Sequence, residues 1–115
     1  NGIDQYIVLN NTSDIKRLAM VVKIDSNQDT GWRYIFDARN GFSTGYLTNQ
    51  TFGGWINVFV NNTPVASYNN IPKDEWVYIE AESPSNFDDN VNLLSRFNNA
   101  ETLRAELYSA TIYNC

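Results

Sequence analysis

The sequence predicts an all-β protein built as a sandwich of two antiparallel sheets. Stretches in which apolar and polar residues alternate recur along the chain, and each is bounded by Asn, Asp, Gly or Pro. No stretch carries a 3.6-residue apolar period with helix caps at both ends. The chain also has 16 aromatic residues, which favour strands, and 17 Asn residues, which favour turns. With 115 residues, of which 43% are hydrophobic and 18% charged, we expect a single domain over residues 1–115.

The alternation predicts eight or nine strands. A helical interpretation of residues 15–24 is rejected because Val21, Val22 and Ile24 are β-branched and a turn-rich segment follows. The clearest hairpin has a turn at residues 61–64. Along the last strand, alternation predicts that Leu103, Ala105, Leu107, Ser109 and Thr111 share one face. The predicted strands are 5–9, 15–24, 32–38, 46–47, 55–60, 65–68, 76–82, 91–96 and 103–113, with turns or loops at 10–14, 25–31, 40–41 and 83–90.

Charge and composition exclude several classes of function. The net charge of −5 and the pI near 4.4 disfavour binding to nucleic acid or to an anionic membrane surface. The chain has no His and a single Cys, at position 115, so a His-based catalytic site, a Cys-based zinc site and an internal disulfide are not expected. No apolar run is long enough for a membrane helix. Because the first residue is Asn1, we expect a processed product or one domain of a longer polypeptide.

The order of several motifs resembles a known superfamily. These motifs are residues 2–7 (GIDQYI), 58–65 (VFVNNTPV), 76–79 (WVYI), 94–97 (LSRF) and 103–114 (LRAELYSATIYN). In this order they resemble the laminin-G-like branch of the concanavalin A-like lectin and glucanase superfamily. The resemblance implies a jelly-roll sandwich, with Trp76 packed between the sheets. Two positions depart from the pattern, since Asn62 and Ala105 stand where the family usually has Gly.

The resemblance also suggests carboxylate chemistry and calcium. Glycosidases of the superfamily use paired carboxylates on one strand, and Glu80 and Glu82 are spaced to share a face. The family's third acidic residue is missing, because Ala81 and Ser83 occupy the neighbouring positions, so we expect an acidic sheet edge and no enzyme. Calcium, the superfamily's usual ion, is the one cofactor considered. Its candidate ligands, which also suit ordinary turns, are Asp25, Asn27 and Asp29 in one loop and Asp88, Asp89 and Asn90 in another.

The alternation places Trp55, Asn57 and Phe59 on one face of a strand. An aromatic ring beside an amide suits a sugar, and exposed aromatics also suit a protein partner. Alternatively, these residues form the core and Ile56, Val58 and Val60 face outward. Many laminin-G-like domains are display domains, so the resemblance implies a non-catalytic structural or interaction module that binds a protein or particle surface, located on a virion, as a phage capsid decoration or fibre, or on a cell surface. The alternative is a carbohydrate-binding module that uses the Trp55, Asn57 and Phe59 face.

Overall fold

A computed structural model describes residues 7–28, 30–38, 46–50, 52–53, 55, 57–96 and 100–113, and at 10–13, 46 and 86–89 it describes the backbone alone. The described chain is built from β-strands, with one 3₁₀ turn at Tyr68–Asn70, and no described helix is long and apolar enough to cross a membrane. The strands are β1 (Ile7–Ile24), β2 (Tyr34–Asp37), β3 (Tyr46–Thr48), β4 (Phe52–Gly53), β5 (Asn57–Val60), β6 (Thr63–Pro64), β7 (Trp76–Leu93) and β8 (Ala105–Tyr113).

The strands form two antiparallel five-stranded sheets packed together, which confirms the predicted β-sandwich. The front sheet has the order β6-β5-β7-β1-β8, and the back sheet has the order β4-β3-β2-β7-β1. The long strands β1 and β7 belong to both sheets. Residues 17–24 of β1 and 76–82 of β7 lie in the front sheet, whereas residues 7–9 and 91–93 lie in the back sheet. A strand that bends in this way forms a corner of the sandwich.

The corners correct two expectations from the sequence. Residues 10–14 and 83–90 were predicted to be a turn and a loop, but both lie within continuous strands. The pairing of β1 with β7 shifts register three times between Leu9 and Arg17, and Asp14 has a left-handed backbone, with φ of 54°. At the facing corner, the Ser83 hydroxyl donates to the Ser85 carbonyl at 2.7 Å. The turn-forming residues therefore bend the two strands without ending them.

One hydrophobic core lies between the sheets. Along β5 and β7 its side chains alternate with outward-facing residues, as the period of a strand requires, whereas all four residues of β2 are buried. On the front sheet the core side chains are Leu18, Met20, Val22 and Ile24 of β1, Val77, Ile79 and Ala81 of β7, and Val58 and Val60 of β5; from the back sheet come Phe36, Leu47, Val91 and Leu93. Burying one such aliphatic side chain contributes about 1.5–3 kcal/mol.

The predicted faces of the last strand are wrong from Ser109 onward. Val22 pairs with Leu107 and Val21 pairs with Ser109, so Tyr108 is an extra residue in a β-bulge. Because β8 has one residue more than β1 over this stretch, the residues after Tyr108 exchange faces relative to the predicted alternation. Ala105, Leu107, Ala110 and Ile112 consequently pack inward or are partly buried, and Ser109 and Thr111 face solvent.

The hairpin between β5 and β6 is tighter than predicted. Its turn consists of Asn61 and Asn62, with φ of 51° and 67°, and the return strand begins at Thr63. Two successive left-handed residues are typical of a type I′ turn, in which Asn is tolerated. The Asn61 backbone N–H donates to the Tyr78 carbonyl at 2.8 Å, and its side-chain Oδ1 accepts from the Tyr78 N–H at 2.9 Å. The turn is thereby fixed to β7. The predicted turn at 40–41 lies outside the described residues.

Candidate functional site: the outer face of the front sheet

The predicted binding residues Trp55, Asn57 and Phe59 do not share one surface. Trp55 is 7% exposed and packs in the core, edge-on to Phe36 with 5.3 Å between ring centroids. It precedes β5, so the alternation of that strand does not extend to it. Asn57 is exposed and Phe59 is partly exposed, while Val58 is buried. The prediction is therefore wrong for Trp55, and the other two residues lie on the solvent-facing side of the front sheet.

Trp76 is also placed differently from the expectation. It was assigned to the core by resemblance, but its side chain is 45% exposed. Val77 and Ile79 point into the core, so the alternate residues Trp76 and Tyr78 must point outward. The period of the strand predicts that this tryptophan faces solvent, whereas the family resemblance predicts that it is buried.

The solvent-facing side of the front sheet is here called the outer face. Strand register aligns its residues in rows across β5, β7, β1 and β8. In order from one end, the rows are Asn57, Glu82, Arg17 and Tyr113; Phe59, Glu80, Ala19 and Thr111; Tyr78, Val21 and Ser109; and Trp76, Lys23 and Glu106. Residues directly opposite on neighbouring strands are close enough to interact. Four strands thus contribute to one continuous surface.

A linked group of polar and aromatic side chains lies at one end of the outer face. The Arg17 guanidinium forms an ion pair with Glu80 and lies over the Tyr113 ring, 4.2 Å from its centroid. The Tyr78 hydroxyl donates to the same Glu80 carboxylate at 3.4 Å. The side chains of Arg17 and Glu80 are 31% and 16% exposed, so water screens this pair less than it would a fully exposed one. The contacts hold these side chains in defined positions.

The two carboxylates considered as a catalytic pair lie on this face. Glu82 accepts a hydrogen bond from the Asn57 amide nitrogen at 2.8 Å, and Glu80 is engaged by Arg17 and Tyr78. Desolvation, followed by the negative charge of Glu80, raises the pKa of Tyr78. The Tyr78 hydroxyl therefore stays protonated at neutral pH and can donate to Glu80 or to a ligand.

An aromatic corner, consisting of Trp76, Tyr108, Lys23 and Glu106, lies at the other end of the outer face. The rings of Trp76 and Tyr108 meet edge to face, with centroids 6.2 Å apart, and Tyr108 is 78% exposed. The Lys23 ammonium is 5.3 Å from the Trp76 ring centroid and 3.6 Å from the Glu106 carboxylate. Sequence reasoning missed this corner because the resemblance assigns Trp76 to the core, although alternation places Tyr108 on the same face as Glu106.

Asp25 and Asn27 form ordinary turn structure. The Asp25 carboxylate accepts from the Asn27 backbone N–H at 2.8 Å, as in an Asx turn. The Asn27 carbonyl accepts from Arg104 at 3.2 Å. Asp29 lies outside the described residues, so its place in this loop stays a prediction.

The second candidate calcium group lies differently from the expectation. Residues 88 and 89 lie within β7 and not in a loop, and the described structure stops at their backbone. In the part of the chain that the structure describes, no three His, Cys, Asp or Glu residues are grouped to hold a metal ion. Calcium binding through Asp25, Asn27, Asp29, Asp88 and Asp89 therefore stays a prediction.

The outer face defines the candidate site by geometry alone. Comparisons of the chain with protein-family models, curated proteins and solved structures found no match, so the resemblance to the concanavalin A-like superfamily stays a prediction.

Proposed function

We propose that this chain is a non-catalytic interaction domain that binds its partner through the outer face of the front sheet. The observation that carries the proposal is the concentration of aromatic and arginine side chains on that face. Trp, Tyr and Arg are the residues most enriched at energetically important positions of protein interfaces. The outer face presents Trp76, Tyr78, Tyr108, Tyr113 and Arg17 on one continuous sheet surface.

The fixed geometry of the face favours binding. Arg17 is held by Glu80 and Tyr113, and Asn57 is held by Glu82. Ordering a long side chain on binding costs about 0.5–1.5 kcal/mol, and that cost is smaller where the side chain is already held. A partner would meet side chains that need little rearrangement.

The absence of His from the chain and the partners of the two carboxylates support a non-catalytic role. Glu80 is paired with Arg17, and Glu82 accepts from Asn57, so both carboxylates make the contacts of a structural network. This network suits a surface that presents charge and hydrogen-bonding groups in fixed positions. An assay for glycoside hydrolysis with Glu80→Gln as the control tests this part of the proposal, since hydrolysis that the substitution abolishes would contradict it.

The partner in this proposal is a protein or particle surface. We propose that the domain is displayed on a virion, as a capsid decoration or fibre domain, or on a cell surface, where an acidic and Asn-rich domain remains soluble. Antibodies against the domain should label purified particles or intact cells of the source in a regular pattern. Label confined to the interior of the cells would refute display.

A matched pair of tryptophan variants tests the binding face. Trp76 is 45% exposed on the outer face, whereas Trp32 is 43% exposed and precedes β2, outside that face. Attachment of the labelled domain to particles or cells should be lost in Trp76→Ala and kept in Trp32→Ala. Equal attachment of both variants would show that the outer face is not the binding surface.

Carbohydrate binding is the second candidate function, favoured by the aromatic corner. A sugar ring can stack on the exposed indole of Trp76 or the ring of Tyr108 while its hydroxyls bond to Glu106 or Lys23. A glycan array probed with the isolated chain tests it. Glycan binding that Trp76→Ala abolishes and Trp32→Ala preserves would favour this candidate over a protein partner. An array without signal would exclude the glycans displayed on it.

A further inference from the structure

Strand β8 ends the front sheet with an edge that has no strand partner in the described chain. It pairs with β1 on one side only, over residues Arg17 to Ile24. The opposite edge of the same sheet is β6, which is two residues long. An edge of nine residues leaves a row of backbone N–H and C=O groups that can pair with another strand.

Most of β8 lacks the charged residues and prolines that commonly protect an edge strand. Residues 107–113 (LYSATIY) contain no charge, no Pro and no Gly, although the chain as a whole carries a net charge of −5. Edge strands are commonly protected by Lys, by Pro or by a bulge. Here the bulge at Tyr108 disrupts the beginning of the strand, while Ser109 to Tyr113 pair regularly with Val21 to Arg17. Ser109 and Thr111 are exposed, so the regular part of the edge is accessible.

We propose that β8 pairs antiparallel with β8 of a second copy of this chain, with a twofold axis at Thr111. This register places Thr111 opposite its own copy and Ser109 opposite Tyr113 on the outer face. On the inner side, Ala110 lies opposite Ile112. Each pair joins residues of the same face, as an antiparallel ladder requires, and none of them is charged.

A second copy fits this edge better than an unrelated strand because the edge is complementary to itself. Two chains that each carry a charge of −5 repel one another, so a stable contact must avoid the acidic side chains. In the proposed register Glu106 lies beyond the last paired residue of the other copy. The pairing is isologous and closes after two copies, joining two five-stranded front sheets into one of ten strands. This inference does not depend on the proposed function.

The size of the contact sets the expected affinity. Five residues on each side make an interface smaller than the roughly 1,200 Å² of a stable complex, so the dissociation constant should be about micromolar or weaker. Sedimentation velocity of the complete chain between about 1 μM and 1 mM should show a concentration-dependent shift from monomer to dimer. Amide hydrogen exchange within residues 109–113 should slow over the same concentration range.

Charge substitutions at the axis test the register. Thr111→Lys places two like charges opposite each other and should weaken dimerisation at least about tenfold. Thr63→Lys makes the same change on β6, at the opposite edge of the sheet, and should leave dimerisation unchanged. A mixture of Thr111→Lys and Thr111→Asp should form heterodimers, which also shows that both variants fold.

The outcomes distinguish the proposal from its alternatives. A chain that stays monomeric up to about 1 mM, or a dimer that Thr111→Lys does not weaken, would overturn it. Dimerisation that is lost equally in Thr63→Lys would also overturn it, because the contact would then lie elsewhere. Failure to bind any partner through Trp76 would refute the proposed function and leave this inference intact.

Discussion

Replacing each of two tryptophans by alanine should have very different effects on stability. Trp55 is 7% exposed and packs on Phe36, so Trp55→Ala removes nearly all of an indole from the core and should cost about 3–5 kcal/mol. Trp76 is 45% exposed and contacts Tyr108 and Lys23. An aromatic pair and an exposed cation–π contact contribute about 0.5–1.5 and 0.5–1 kcal/mol, so Trp76→Ala should cost about 1–2.5 kcal/mol.

Urea unfolding followed by circular dichroism measures both costs without using tryptophan as the probe. With a slope of about 1–2 kcal/mol per molar urea, Trp55→Ala should lower the midpoint by about 1.5–5 M and Trp76→Ala by about 0.5–2.5 M. Trp32→Ala, at a site that is 43% exposed, is the matched surface control and should likewise cost less than Trp55→Ala. A larger loss for Trp76→Ala than for Trp55→Ala would refute the assignment of Trp55 to the core and Trp76 to the surface.

Three further experiments test contacts of the front sheet and its flanking turns. A double-mutant cycle of Arg17→Ala and Glu80→Gln should give a coupling free energy of about 1 kcal/mol, because the pair is partly shielded from water. Burial, and to a smaller extent the charge of Asp25, raises the pKa of Tyr68 from 10 to about 12. The Tyr68 hydroxyl therefore loses its proton at lower pH in the unfolded chain than in the folded one, so the free energy of unfolding should fall from about pH 10 to pH 12. Tyr68→Phe should remove that part of the pH dependence, as measured by urea unfolding at pH 9 and pH 11. Asn62→Gly should raise the unfolding free energy by about 0.5–1 kcal/mol, because φ is 67° at this position and Gly adopts it without strain.

Each of these three expectations has an outcome that contradicts it. A coupling free energy near zero would show that Arg17 and Glu80 act independently. The same loss of stability from pH 9 to pH 11 in Tyr68→Phe as in the unmodified chain would assign that loss to other groups. A lower unfolding free energy in Asn62→Gly, measured by urea unfolding, would show that the Asn62 side chain contributes more to the hairpin than its backbone strain costs.

The sequence predicts the fold class well because long stretches of it alternate regularly between buried and outward-facing residues. Along β7, Val77, Ile79 and Ala81 are buried at every second position, and that period alone identifies both a strand and its inner face. The first strand of the β5–β6 hairpin follows in the same way from residues 57–60, whereas the return strand lies at Thr63–Pro64 and not at the predicted 65–68. Local sequence patterns suffice here because the alternation of side chains is a property of each strand by itself.

The corners and the bulge could not be predicted because their causes are not local. Asp14 and Ser83 belong to turn-rich segments, and such segments end a strand in most sequences. Here β1 and β7 remain paired through the corner, so each supports the other while both bend. Whether a turn-rich segment ends a strand or bends it therefore depends on the partner strand.

The candidate site could be predicted only in part for the same reason. The alternation of their own strand predicts that Asn57 and Phe59 face solvent. Glu82 and Glu80 lie beside them only because β7 pairs with β5 in this register. Arg17 lies a further strand away, and no sequence pattern connects it with Glu80. A binding face on a sheet depends on register, and register is fixed by packing across the whole sandwich.

The bulge at Tyr108 makes one deletion harmless in a strand where a deletion would ordinarily invert every side chain. Leu107 and Ser109 already pair with Val22 and Val21, which are consecutive, so removing Tyr108 leaves a regular ladder with all other faces unchanged. The deletion should cost only about 0.5–1.5 kcal/mol, because Tyr108 is 78% exposed and its removal loses the ring contact with Trp76. Deleting Val21 from β1, which no bulge compensates, should prevent folding because residues on one side of the deletion exchange faces. Circular dichroism and urea unfolding of both deletions test this, and an unfolded Tyr108 deletion would show that the bulge is required for the strand to pair.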